Sequence, residues 1–222
     1  MRLNRLKIII EVILIFSITT LIGMILWDFL DMKKSEKYAD GMINEIDKII
    51  EDNKDNDTDS LIIVSSNDET SENNYEGNNK TTVVQTQSKS ITISGVTVFG
   101  KIKIDKIGIE YPIIEYTDSN ALWKSICKIT NNNIDGTGNL CLAGHNMRNL
   151  TMFGNLRKLS NGDTIEITDL KGNKYIYEVY DKFYIEPTKV DIMNRTSESV
   201  VTLITCNDSS DKRLIVRGKL IA

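Results

Sequence analysis

The sequence predicts an all-β domain, a closed or nearly closed barrel of seven or eight strands with short helices, carried behind an N-terminal transmembrane helix and a polar stalk. Three observations lead there. An unbroken apolar run lies near the N-terminus, a stretch rich in Asn, Asp, Ser and Thr follows, and from Ile91 short β-branched runs alternate with Gly- and Asn-containing turns. Seven or eight strands in about 125 residues favour closure, because a barrel leaves no unpaired edge.

The apolar run covers residues 8–27 and contains one charge, Glu11. As a helix it is about 30 Å long, which matches the hydrocarbon core of a bilayer. Arg2, Arg5 and Lys7 precede it, and Asp28 and Asp31 follow. That asymmetry places the N-terminus in the cytoplasm and the rest of the chain outside the cell membrane. A cleaved leader would have a shorter apolar region ending in a small-x-small site, and Met24-Ile25-Leu26-Trp27 offers none. Residues 1–31 are therefore expected to be a cytoplasmic tip and a single-pass signal anchor.

The chain carries a net charge of −4, unevenly spread. Residues 32–94, with a net charge of −6, read as an extracellular stalk. Within it, Tyr38, Met42, Ile46, Ile49 and Ile50 recur at helical spacing and predict an amphipathic helix over residues 34–52. Residues 53–90 have too few apolar side chains to offset the entropy of ordering and predict a mostly disordered spacer, with Leu61-Ile62-Ile63-Val64 as its one apolar island. Residues 95–222 are nearly neutral, at +2, and long enough for one domain with its own core. The composition break near Ser94 leads to the expectation that residues 91–222 fold alone. The acidic average argues against a nucleic-acid partner.

The strands expected in this last segment are Val96–Ile104, 111–116, 140–143, 164–168, 175–185, Val200–Cys206 and 213–221. Asp135-Gly136, Asn161-Gly162-Asp163 and Lys171-Gly172-Asn173 supply turns, the last of them joining two strands as a hairpin. Short helices are expected over residues 120–128 and 152–159.

Two local sequences carry chemistry. Leu142-Ala143-Gly144-His145-Asn146 ends an apolar strand in the only His of the chain. Thr202-Leu203-Ile204-Thr205-Cys206 ends another in a Cys, followed by the polar loop 207–212 and by Arg213 opening the next strand. If those two strands form a hairpin, Cys206 and Arg213 face each other on the first rung of the ladder. A single His, with no acidic cluster beside it, predicts neither a metal site nor any other cofactor.

These elements resemble the sortases, the cysteine transpeptidases of Gram-positive cell surfaces, over residues 95–222. The resemblance implies a sortase-type β-barrel in which Cys206 is the nucleophile, His145 the acid/base, Arg213 the oxyanion and substrate stabiliser, and Thr205 a supporting, substrate-binding residue. It also implies the partners: a secreted protein bearing a Leu-Pro-x-Thr-Gly-like sorting signal, and an amine of a peptidoglycan precursor that receives the acyl group from a thioester. Chemistry supports those roles. A free thiol is only about 3% thiolate at pH 7, so a nucleophilic Cys needs help from neighbours. A guanidinium, charged at any relevant pH, offers a planar fork of donors to an oxyanion. Arg217 shares the parity of Arg213 but lies four residues, about 13 Å, farther along. Cys127, expected in a helix, and Cys141, expected in a strand, read as small core residues.

The interval 186–199 is too short for the long helix that class B-like sortases insert there. Neither a lid motif nor a second membrane span of the pilus-building class C type is expected, which leaves a class A- or D-like enzyme. Two other readings are a membrane-tethered, non-catalytic β-barrel binding module and a hydrolytic cysteine peptidase.

Overall fold

The computed structural model describes residues 2–55, 90–130 and 138–222. The spacer expected over 53–90 and the Asp135-Gly136 turn fall mainly outside them.

The apolar runs alternate with polar residues at period two, and the structure turns that alternation into a barrel. Nine strands are described: β1 (Ile91–Ile93), β2 (Val96–Ile104), β3 (Ile109–Ile114), β4 (Ile126–Lys128), β5 (Asn139–Ala143), β6 (Thr164–Asp169), β7 (Lys174–Ile185), β8 (Val200–Cys206) and β9 (Arg213–Leu220). Their order is β1-β2-β3-β4-β5-β8-β9-β7-β6, and a further pairing of β2 with β6 closes eight of them into a ring, with β1 appended as a flap. Residues Gly100–Lys103 of β2 serve both neighbours, β3 through one edge and β6 through the other. Two pairs are parallel, β3 with β4 and β5 with β8. Inward-facing Ile102, Ile104, Leu140, Leu142, Val201, Leu203, Leu214 and Val216 fill the barrel, each at most 3% exposed.

The expected strands are present to within two residues at either end. The helices differ. Only Ser119–Lys124 (α2) is helical in the first, capped by the Asp118 carboxylate, which accepts from the Ala121 amide at 2.7 Å. Residues 126–128 form β4 instead, because the β-branched Ile126 and the small Cys127 pair with β3 and β5 in a fully buried position. Cys127 therefore lies in a strand, not in a helix. Over 152–159 only a 3₁₀ turn forms, at Leu156–Lys158; Met152, Phe153, Leu156 and Leu159 pack into the barrel core without a regular helix.

The N-terminal helix α1 runs without a break from Arg2 to Asp55. Its window Ile10–Trp27, with mean hydropathy 2.2 and no buried residue, is long and apolar enough to cross a membrane. The amphipathic stripe expected over 34–52 is helical, and its apolar face is covered by the barrel. Met42, Ile43, Ile46 and Ile50 pack with Ile93, Val96, Val98, Ile114, Ala121, Cys127 and Leu170 in a second core outside the barrel wall. Lys101 bridges Asp47 at 2.5 Å and Glu110 at 2.8 Å, and the Asn53 side chain donates to the Leu170 carbonyl. Composition changes near Ser94, but packing reaches back to Ala39, so a fragment beginning at Ile91 leaves the Val98–Ile114–Cys127 face uncovered.

These burials carry measurable consequences. Ile46 is fully buried on α1, so Ile46→Ala is expected to lower stability by about 2–4 kcal/mol, read from urea denaturation of the full chain in detergent. A fragment 91–222 should show a still lower urea midpoint than one that begins before Lys37. Burial pushes the Cys127 thiol up to about 12 and the Cys141 thiol up to about 11, so neither forms a thiolate at neutral pH. Cys127→Ser and Cys141→Ser are each expected to cost about 1–3 kcal/mol, because a hydroxyl replaces a buried thiol. Alkylation at pH 7, mapped by mass spectrometry, should remain confined to Cys206 in both variants.

Candidate active site

Parallel pairing determines where the two chemical motifs meet. Ala143 of β5 is in register with Ile204 of β8, so both strands end at the same rim of the barrel, one with His145 and the other with Cys206. The junction is locked by two bonds. The Gly144 amide donates to the Ile204 carbonyl at 3.2 Å, and the Thr205 hydroxyl donates to the Gly144 carbonyl at 2.7 Å. Gly144 has no substitute here: a Cβ at this position would stand 2.8 Å from the Phe153 ring. The Phe153 amide in turn donates to the His145 carbonyl at 3.1 Å, which fixes the backbone on the far side of the imidazole.

On the other flank β8 and β9 form the expected hairpin, and Cys206 and Arg213 are register partners on its last rung. The connecting loop holds itself in shape. Asn207 donates to Ser209 and Asp211, Ser209 donates to Asp211, and the Lys212 amide donates back to Asn207. The hydroxyl of Ser209 and the amide of Asn207 hold the Asp211 carboxyl below the usual carboxylate range. Asp208 reaches the other way, accepting from Asn146 at 3.1 Å and pairing with Arg157 at 3.3 Å. It thus ties the loop after Cys206 to the loop after His145.

Cys206, His145 and Arg213 are each half-buried. Among the described residues no carboxylate pairs with Arg213; its Nη1 lies 3.4–3.5 Å from the Lys212 and Ser210 carbonyls, leaving the guanidinium available. Burial lowers the His145 pKa below its ordinary value, since a desolvated imidazolium is disfavoured. Arg217 stands opposite Thr202 and Asp181, away from Cys206, and its Nε is buried without a partner. Thr205 is 3% exposed. Its hydroxyl donates to the Gly144 carbonyl and so supports the strand end before His145, and the residue also lines the cavity beside Cys206. Among the described residues no cluster of three or more His, Cys, Asp or Glu side chains could hold a metal.

One neighbour of the site escaped sequence reasoning. Trp123 on α2 stacks against His145 with ring centroids 4.4 Å apart and planes tilted by 33°, while 61% of it stays exposed. The only signal in the sequence is a large aromatic residue on a short polar helix, and nothing there connects it to a His 22 positions later.

A thiol, an imidazole and an unpaired guanidinium at one barrel rim form a constellation suited to acyl transfer. Comparison with known proteins agrees. The sortase-domain family model matches residues 102–221. Sortase A of Listeria monocytogenes is 32% identical over 146 residues, 62% of this chain and 65% of that protein. Sortase A of Bacillus anthracis is 32% identical over 127 residues, 56% of this chain and 60% of that protein. The chain thus spans a little under two thirds of the length of these relatives. Among solved structures, L. monocytogenes sortase A superposes with a TM-score of 0.54 at 31% identity, covering 56% of this chain and 88% of that one. A Clostridium perfringens sortase D5 transpeptidase gives 0.52 at 32% identity, covering 56% and 79%. With the family model matching more than half of its length, and with this barrel, the chain belongs to the sortase family.

Proposed function

We propose that this protein is a membrane-anchored cysteine transpeptidase that joins secreted proteins to the cell wall. The observation that carries the reading is the Cys206–Arg213 ladder pair beside the strand end that bears His145. The exposed apolar window Ile10–Trp27 supports an anchor that leaves the barrel on the outer surface.

In this reading the Cys206 thiolate attacks the carbonyl carbon preceding the scissile bond of a Leu-Pro-x-Thr-Gly-like signal. A C–S bond forms and the carbonyl oxygen becomes an oxyanion, which the Arg213 guanidinium stabilises with charge and paired donors. His145, as imidazolium, protonates the departing amine, the C–N bond breaks, and a thioester remains. An amine of a peptidoglycan precursor then attacks the thioester. His145 takes up the proton that this amine releases, and the thiolate leaves. Water in place of the amine would give a peptidase. The interval 186–199 holds only a 3₁₀ turn, Asp191–Met193, which supports a class A- or D-like enzyme over class B.

Four outcomes test this reading. Incubation with a panel of sorting peptides should yield an acyl-enzyme adduct on Cys206 by mass spectrometry, and added amine should raise product formation. Absence of any adduct in the folded wild-type chain would overturn the reading, and hydrolysis unaffected by amine would make the protein a peptidase. Cys206→Ala and His145→Ala are expected to abolish turnover. Arg213→Ala should lower kcat/KM by about 10²–10³ without rescue by Arg213→Lys, whereas Arg217→Ala should leave chemistry intact.

Trp123→Ala should lower kcat/KM by about tenfold, with Trp123→Phe retaining most of it, because a ring packed on the imidazole limits its rotamers. The pH–rate profile should be bell-shaped, with limbs that belong to the coupled thiol–imidazole pair. Stability carries its own signature. Burial favours the neutral imidazole, so below about pH 6.5 the unfolded chain binds more protons than the folded one and stability falls as the pH drops. The difference in urea midpoints between wild type and His145→Ala, followed from about pH 7.5 to 5, isolates that contribution.

A further inference from the structure

The outer face of β5, β8 and β9 is covered along only part of its length. Cys141, Thr202 and Ile215 point away from the barrel interior, yet each is 0% exposed. Toward the rim, Ala143, Ile204, Cys206 and Arg213 on the same face are half-exposed. Among the described residues, the loop 186–199 is positioned to cover the first group, since its centre bonds to Asn139 beside them. It leaves β7 at Ile185, the register partner of Arg213 at the rim. It returns at Val200, the register partner of Asn139 at the opposite end of β8 and β5. The loop therefore crosses this face lengthwise, and its course sets where the cover ends and an open groove toward Cys206 begins.

We propose that Asn139 is the positioning residue that holds this loop down and thereby sets the width of the groove for the sorting peptide; the substrate half of this inference rests on the function proposed above. Asn139 is 0% exposed, and its side-chain amide is engaged at both ends. Its Nδ2 donates to the carbonyls of Ile192 at 2.7 Å and Asn194 at 3.2 Å, in the middle of the loop. Its Oδ1 accepts from the Thr202 hydroxyl at 2.6 Å, which orients the amide so that both donor hydrogens face the loop. Other ties among the described residues lie near the loop's ends: the Leu220 amide donates to the Ser199 carbonyl at 3.0 Å, and the solvent-exposed ion pairs Glu186–Lys212 and Glu198–Lys219 span 3.9 Å and 2.9 Å. Exposed pairs of this kind contribute little. Hydrogen bonds from a buried side chain contribute more: the Asn139 amide has no water to replace its partners, and losing it leaves the buried Thr202 hydroxyl without its acceptor. Residue type matters at this position. A carboxylate would set oxygen against the two loop carbonyls, and an apolar isostere would strand both of them along with the Thr202 hydroxyl.

The test compares wild type, Asn139→Ala and Thr202→Val in the full chain, in detergent, with a sorting peptide that the wild type cleaves. Three quantities are read: amide hydrogen exchange across 186–199, KM against kcat, and the rate of Cys206 alkylation by iodoacetamide. Asn139→Ala is expected to speed exchange in the loop and raise KM, each by about tenfold, with kcat and alkylation within about twofold. Thr202→Val, which removes the hydroxyl that orients the amide and also meets the buried Cys141 thiol, should move the same two quantities by about threefold, and it carries the test alone if Asn139→Ala does not fold. Loop exchange unchanged in a folded variant would overturn the inference, as would faster exchange with KM unchanged. A joint fall of kcat and alkylation would also overturn it, since that marks general damage to the rim. Failure of the wild type to acylate with any sorting peptide would sink the proposed function itself, an outcome visible before any variant is made.

Discussion

The parallel pairing of β5 with β8 is the constraint on which the candidate site depends. Antiparallel neighbours end at opposite rims, whereas parallel neighbours end at the same one. The register Asn139–Val200 through Ala143–Ile204 therefore brings the residues after both strands to one edge. A shift of one residue would turn the inward Leu140, Leu142, Val201 and Leu203 outward, so the burial of these side chains fixes the register and with it the relative placement of His145 and Cys206. The β8–β9 ladder, which pairs Cys206 with Arg213, then adds Arg213 at the same rim.

That rim is held by polar bonds that the core cannot supply. Thr205 and Gly144 join the two strand ends and Asp208 joins the loops that follow them; at the far end of β5 and β8, away from the rim, Asn139 with Thr202 ties down the loop 186–199. Each is a side chain meeting backbone groups or another side chain that the ladder leaves unpaired. Such bonds matter more for geometry than for net stability, because water offers nearly the same hydrogen bonds to the unfolded chain. In the proposed reaction, preorganisation of this kind would let the thiol and the imidazole act without reordering.

The three thiols show how the same fold separates packing from reactivity. Cys127 lies between α1 and the barrel wall, and Cys141 lies under the loop-covered outer face, both without contact with water. Cys206 stands at the half-exposed rim opposite a guanidinium. Desolvation penalises a thiolate in the first two positions. The continuous α1 links this arrangement to the apolar N-terminal run: the helix that carries Ile10–Trp27 is the one whose later residues Met42, Ile43, Ile46 and Ile50 seal the second core.

Much of the barrel was legible because strand signals are local. Period-two alternation and turn residues place Val96–Ile104 and Val200–Cys206 to the residue, and the strand-terminal His, Cys and Arg stand out because polar reactive residues interrupt apolar runs. What remained hidden depends on contacts between distant segments. The three-residue β4 is too short to show a period, and it exists because β3 and β5 flank it. Residues 152–159 carry a helical spacing that packing against Gly144 and the barrel interior overrides. The stripe on residues 38–50 announces an apolar face but not what covers it, since periodicity records that a face is buried and never its partner. Trp123 beside His145 and Asn139 beneath the loop belong to the same class. The sequence by itself determined most of the residues that form strands and marked His145, Cys206 and Arg213 as candidates for the chemistry, because those readings rest on local pattern. Only the tertiary structure decided which outward faces are covered and which side chains hold the rim in place, because these follow from closure of the ring.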